Sequence, residues 1–280
     1  MSFLSSPWNH AVPHLEMRYG DHVLASGSCF FWKVADQTFL VSNWHNFSGR
    51  DPATLAPISP TCGRPDRIAF TTFKKVSEVD EDGIYEMTIG HATVSLYQDN
   101  MEEAKWLEHP QLGRLVDVAA IDVTTAVEGL LVKYANELED DAILEPLPSQ
   151  DVFIIGYPLG QITGAPGPIW KRGTIATDPT FHPDGLPKIY VDTATRSGMS
   201  GSVVIVRHNL FGKRIKKKDG TLSEPMIYAK RDLVLGIYSG RLGADHVQAQ
   251  LGIVWKRQVI EETITGMALA RRDYDLAPSF

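Results

Sequence analysis

The sequence predicts an all-β protein of the sandwich or barrel type, closed by one C-terminal helix. Three observations predict it. Short β-type segments recur along the chain, separated by Gly, Pro, Asp and Asn. They are not interleaved with amphipathic helices, as a parallel βαβ sheet would require. One stretch alone has helical spacing: in 258–270, Val259, Ile260, Ile264 and Met267 fall on one apolar face.

In chain order, the first set of strands is expected at 22–25, 29–34, 38–42, 67–73, 86–89, 93–96 and 116–122. The second is expected at 152–156, 169–176, 189–192, 203–206, 226–230, 234–239 and 252–255. Between the sets, 124–149 carries the acidic run Glu137-Leu138-Glu139-Asp140-Asp141, expected to be exposed, and then Pro146 and Pro148. The division placed there gives an N-terminal unit 1–130, a C-terminal unit 131–256, and a helix and tail 257–280.

Composition narrows the function. The 280 residues suffice for one large domain or two small ones with ample core. No apolar run approaches the roughly 18 residues of a membrane span. Residues 1–13 lack a basic segment followed by an apolar stretch, so no secretory leader is expected. A net charge of −7 argues against a nucleic-acid partner. The basic run 213–218 ends at Asp219-Gly220 and reads as a solvated hairpin tip, with a docking patch for an acidic partner as the alternative. With only two cysteines, Cys29 and Cys62, a reducing cytoplasmic compartment and buried free thiols are expected, although a single bridge stays open. The histidines His22, His91, His182 and His246 lack paired metal-ligand spacing, and 160–167 lacks the ending of a phosphate loop. No metal and no cofactor are expected.

Three segments carry chemistry. Gly198-Met199-Ser200-Gly201-Ser202 precedes the apolar run Val203-Val204-Ile205-Val206. A serine between glycines at the mouth of a strand suits a nucleophile, and the glycines free backbone N–H groups to stabilise an oxyanion. His45 follows the apolar stretch Phe39-Leu40-Val41. Asp117 interrupts Leu115-Val116-Asp117-Val118-Ala119, where an ionised carboxylate is costly unless a group such as a histidine N–H meets it. A nucleophile elbow of the α/β-hydrolase kind needs glycine two places after the serine, where this chain has Ser202.

In the order His, Asp, Ser, and with Gly156-Tyr157-Pro158-Leu159-Gly160, Gly236-Ile237-Tyr238-Ser239-Gly240 and Gln250-Leu251-Gly252-Ile253-Val254-Trp255, the chain resembles the chymotrypsin-like serine peptidases. The likeness is to the bacterial HtrA and glutamyl-endopeptidase branch and covers roughly residues 20–270. It implies two packed six-stranded antiparallel β-barrels and a C-terminal α-helix. It implies a serine endopeptidase with His45, Asp117 and Ser200 as catalytic triad, and with the N–H groups of Gly198 and Ser200 as oxyanion hole. Ser239 would hydrogen-bond Asp117 from the second barrel. Ala194, Thr195, Ser239, Gly240 and Gly252 would line the substrate pocket.

Departures from the pattern bear on regulation and specificity. Met199 stands where digestive members carry an aspartate that pairs with a newly cut N-terminus, so activation by trimming is not expected. No acidic residue sits at the pocket base, so preference for Arg or Lys is not supported, and a small or medium uncharged residue is expected before the scissile bond. Arg241 would bias the pocket toward acidic side chains. The partners expected are a protein or peptide substrate and an activating or targeting protein, with no nucleic acid and no membrane. A catalytically silent binding or regulatory protein on the same fold is the alternative reading.

Overall fold

The computed structural model describes residues 6–77, 86–98, 102–139, 145–160, 167–194, 197–210, 214, 216–217, 219–223, 229–242 and 251–271. The first half holds β1 (His14–Tyr19), β2 (His22–Ser28), β3 (Phe30–Val34), β4 (Gln37–Ser42), α1 (Trp44–Ser48), β5 (Arg67–Lys75), β6 (Met87–Ser95), β7 (Trp106–Glu108) and β8 (Ala119–Asp122). The second half holds β9 (Asp151–Gly156), β10 (Ile169–Ile175), β11 (Lys188–Asp192), β12 (Val203–Leu210), β13 (Ala229–Arg241), β14 (Leu251–Lys256) and α2 (Arg257–Thr265). The all-β class and the C-terminal helix are as expected.

The second half is a closed six-stranded barrel in the order β10-β11-β14-β13-β12-β9. The first half is organised as two four-stranded sheets, β2-β1-β5-β6 and β3-β4-β8-β7, in place of the single six-stranded barrel implied by resemblance. The two sheets close on one core that includes Leu15, Phe31, Leu40, Phe70, Trp106 and Ile121. All the strand pairs are antiparallel among the described residues.

The apolar run that follows Ser200 is unbroken because its alternate residues serve two cores. Val203 and Ile205 point into the core shared by the two halves, and Val204 and Val206 into the barrel. A strand buried on both faces has no solvent side to place polar residues on. The shared core brings Trp8, Phe30, Trp32 and Val118 from the first half against Ile155, Ile237 and Trp255 from the second. Helix α2 adds Val259, Ile260 and Ile264.

Several expectations change at element scale. The segments 86–89 and 93–96 are one strand, β6, and the 234–239 strand extends back to residue 229 in β13. Strands β1 and β7 were not foreseen. The helix expected over 258–270 ends at Thr265: Gly266 is still right-handed, and Met267, at φ 48°, turns the chain so that Ala270 N–H meets Trp106 O at 3.0 Å. Glu139, expected to be exposed, has a side chain only 6% accessible. It accepts the Val234 N–H at 2.7 Å and pairs with Arg257 at 3.1 Å, which offsets the cost of burying its charge. Cys29 and Cys62 are both free, the first buried and the second exposed, so only one of the thiols is buried as expected. Among the described residues no helix is long and apolar enough to cross a membrane, and no cluster of His, Cys, Asp or Glu is arranged for a metal.

Candidate active site

His45 lies on α1, a five-residue helix fixed by its neighbours. Trp44 and Phe47 are fully buried, and both rings meet Trp106 edge-on, at 6.1 and 5.7 Å between centroids. The Trp44 indole N–H also donates to Glu108 Oε2 at 2.9 Å. Burying such aromatic side chains contributes on the order of 1.5–3 kcal/mol each. A short helix with little stability of its own is thereby held in one orientation, with His45 left partly accessible.

Asp117 sits between a short 3-10 turn, Gly113–Leu115, and the start of β8. Its carboxylate is buried, and three donors reach it. Oδ1 accepts the His45 backbone N–H at 2.9 Å, and Oδ2 is 2.7 Å from His45 Nδ1. Oδ2 also accepts the Ser239 hydroxyl in a short hydrogen bond. The Asn43 amide donates to the Asp117 carbonyl at 2.7 Å and fixes the backbone behind the carboxylate. An ionised carboxylate only accepts, so Nδ1 carries the proton and Nε2 is left as the basic nitrogen.

Ser239 reaches Asp117 because β13 is irregular there. Tyr238 pairs with Val254 and Gly240 with Ile253, which leaves Ser239 as an extra residue in the ladder. Such a bulge turns its side chain out of the regular alternation.

Burial is the largest single influence on the His45 imidazole and pushes its pKa down. The charge and hydrogen bond of Asp117 and the charge of Asp51 together outweigh it, so the pKa stands above its ordinary 6.5. For Asp51, burial pushes the pKa up, but donors from Thr54 and Ala53, at 2.7–3.0 Å from Oδ1, hold the carboxyl below its ordinary range, and His45 lowers it further.

Ser200 comes to the same place through its backbone. Its carbonyl accepts the Ser28 N–H at 2.9 Å and lies 3.4 Å from the amide Nδ2 of Asn46, the residue after His45. Among the described residues no hydrogen bond joins Ser200 Oγ to His45 Nε2. The turn that carries Ser200 requires its two glycines. Gly198 has φ 86° and Gly201 φ 88°. A Cβ on Gly198 would lie 2.5 Å from Tyr157 O, and one on Gly201 1.9 Å from Ser28 O. Met199 is buried among the apolar residues of the barrel, at 1% exposure.

Of the remaining pocket residues, Gly240 on β13 and Gly252 on β14 lie one register step apart on paired strands. Ala194 is exposed, and Thr195 lies outside the described residues. Gly240 has open space where a side chain would stand, whereas Gly252 is covered by the Tyr238 ring, 2.5 Å from where its Cβ would be. Sequence reasoning gave no role to Ser28, Ser42, Asn43, Asn46 or Asp51. Ser28, Ser42 and Asn43 are small polar residues at the ends of strands and Asn46 is one between the buried Trp44 and Phe47 of α1, placements that signal a hydrogen-bonding duty. Asp51 follows His45 at no diagnostic spacing and carried no such signal.

No protein-family model matches the chain, and no curated protein is similar to it. Among solved structures it is similar to a serine endoprotease from Yersinia pestis, with 14% identity, TM-score 0.48, and coverage of 93% of this chain but only 66% of that one. It is also similar to the active form of the Rv3671c protease from M. tuberculosis, with 14% identity, TM-score 0.45, and coverage of 94% and 83% of the two chains.

Proposed function

We propose that the chain is a serine endopeptidase with Ser200 as nucleophile. Ser200 Oγ attacks the scissile carbonyl carbon and passes its proton to His45 Nε2. The C–O bond forms, the tetrahedral intermediate collapses, and the C–N bond breaks as Nε2 returns the proton to the leaving amine. Water then repeats the sequence on the acyl-enzyme. Asp117 keeps Nδ1 protonated and stabilises the imidazolium, and Ser239 fills the remaining demand on Oδ2. The N–H groups of Gly198 and Ser200 receive the oxyanion, a role in which losing one donor typically costs about 10²–10³ in kcat.

The observation that carries this reading is the Asp117 carboxylate, buried and bound by His45 N–H, His45 Nδ1 and the Ser239 hydroxyl. A purely structural aspartate has no need to hold an imidazole in one tautomer from a site beside a glycine-flanked serine. With Tyr238 over Gly252 and Ala194 near the pocket base, the substrate favoured is a protein with a small or medium uncharged residue before the scissile bond. The thiols fit a reducing compartment. The absent Ser200–His45 hydrogen bond favours one second reading, a latent or silent form that a protein partner completes. Catalytic hydrogen bonds are often long before substrate binds, so the active reading stands first.

Labelling with a fluorophosphonate probe tests it. Wild type is expected to label, and Ser200→Ala and His45→Ala to lose the label. Equal labelling of wild type and Ser200→Ala would sink the assignment. No labelling of wild type in any condition would leave the silent form.

A further inference from the structure

Ser28 is the last residue of β2, fully buried, and it touches no reacting atom. Four hydrogen bonds nevertheless meet on it. Its hydroxyl accepts the Tyr157 N–H at 2.9 Å and donates to the Gly198 carbonyl at 2.9 Å. Its N–H donates to the Ser200 carbonyl at 2.9 Å, and its own carbonyl accepts the Ser42 hydroxyl at 2.9 Å. The lack of a side chain at Gly156 makes room for it, since a Cβ there would lie 2.4 Å from Ser28 Oγ.

A trans peptide is planar, with N–H opposite C=O, so fixing one carbonyl fixes the N–H of the next residue. Around Ser200 each carbonyl is held in turn. Ser197 O accepts Leu159 N–H at 2.6 Å, Met199 O accepts Ser202 N–H at 3.0 Å, and the carbonyls of Gly198 and Ser200 are held by Ser28. The first two bonds set the directions of the Gly198 and Ser200 N–H groups. The Ser28 hydroxyl acts on both sides of this arrangement. It grips the peptide between the two donors, and through Tyr157 it anchors the 157–160 turn that supplies the Leu159 N–H.

We propose that the Ser28 hydroxyl is a positioning group that presets the oxyanion turn across the junction of the two halves. The proposal rests on the hydrolytic reading of Ser200. Ser28→Ala and Ser28→Gly remove the hydroxyl and keep the backbone bond to Ser200. Both are expected to lower kcat by about 10–100-fold, part of the loss seen when a hole donor is deleted. KM should stay within about twofold, and the pH at which activity rises should not move, because the His45–Asp117 pair is untouched. Ser28→Thr, which restores a hydroxyl, should recover part of kcat. Ile264→Ala in α2 is the control for lost stability, and its kcat should match wild type at a temperature where it is folded.

Unchanged kcat, a rise in KM alone, or a shifted pH profile would overturn the proposal. Failure of both hydroxyl deletions to fold would make Ser28 a folding residue and also overturn it. A readout independent of turnover separates this outcome from failure of the peptidase reading. With ¹³C-carbonyl serine and ¹⁵N-glycine labelling, the Ser197–Gly198 amide signal should shift or broaden in Ser28→Ala even if wild type proves inactive. An unmoved signal counts against Ser28.

Discussion

At the scale of single residues, the site is organised around one carboxylate. Asp117 is buried at a cost that only its three donors offset, and two of those donors belong to His45. The consequence is a histidine whose protonated form is favoured by folding. Below its raised pKa the imidazole is charged and, on the proposed reading, could not accept the Ser200 proton. Activity should therefore rise with pH through a midpoint above 6.5. Replacing Asp51 by Asn removes a negative charge that helps raise this pKa, so the midpoint should move to lower pH. A kcat/KM profile of the two proteins checks this, and a midpoint that stays put would remove Asp51 from the account. The same linkage acts on stability. The favourable charge on His45 contributes fully below about 6.5, the value in the unfolded chain, and the contribution is lost as pH rises through the folded pKa. His45, Asp117 and Ser200 stand out in the sequence because each breaks a local rule of composition, and the structure shows the His45–Asp117 contact. Asp51 breaks none, and Ser28, a small polar residue at a strand end, signals a hydrogen bond but not its partners, so only the folded chain brings the two to the site.

Among elements, legibility followed length and periodicity. Strands β3, β4 and β9 and the first half of β12 are largely apolar runs bounded by turn residues, and their positions follow from sequence, whereas the polar second half of β12, from Arg207, does not. Strand β1, His-Leu-Glu-Met-Arg-Tyr, buries Leu15 and Met17, but Leu, Glu, Met and Arg are helix formers and mask the alternation. Strand β7 has three residues and α1 five, too few for any period to register. In α2 the apolar face was legible and its end was not, because Met267, an ordinary helix former, takes a left-handed conformation at φ 48° and sends the chain along β7. That helix has a measurable role in the fold. Ile260 is fully buried in the shared core, so Ile260→Ala should cost about 2–5 kcal/mol. Urea unfolding with an unchanged slope would confirm it, and a loss below about 0.5 kcal/mol, the size of an ordinary surface change, would mean that α2 is only peripheral.

For the molecule as a whole, the halves 1–130 and 131–256 share a core, and on that ground neither is expected to fold alone. The largest group of contacting buried residues spans both halves and α2. Side-chain bonds also cross between them, as in Trp8 Nε1 to Asp232 Oδ2 at 2.8 Å. Each half alone would expose this apolar face, at roughly 25 cal/mol for every Å² left in water. Fragments 1–130 and 131–280 expressed separately should give spectra of unfolded or molten chains, and should recover native dispersion when mixed. Two fragments that each fold with a cooperative melt would show the opposite arrangement. The site lies on this joint: His45 and Asp117 come from one half, Ser200 and Ser239 from the other.

Met199, sealed in the barrel interior, has a consequence for the range of solutions in which the Ser200 turn stays in place. An ion pair holding this turn would be screened by salt, whose reach for charge falls to about 3 Å at 1 M. A thioether held among aliphatic side chains has no charge to screen, and sulfate strengthens such burial. Met199's share in setting the Ser200 turn, beside the hydrogen bonds on its carbonyls, is thus tied to hydrocarbon contact and not to the ionic medium, and it should hold alike in dilute buffer and in molar ammonium sulfate.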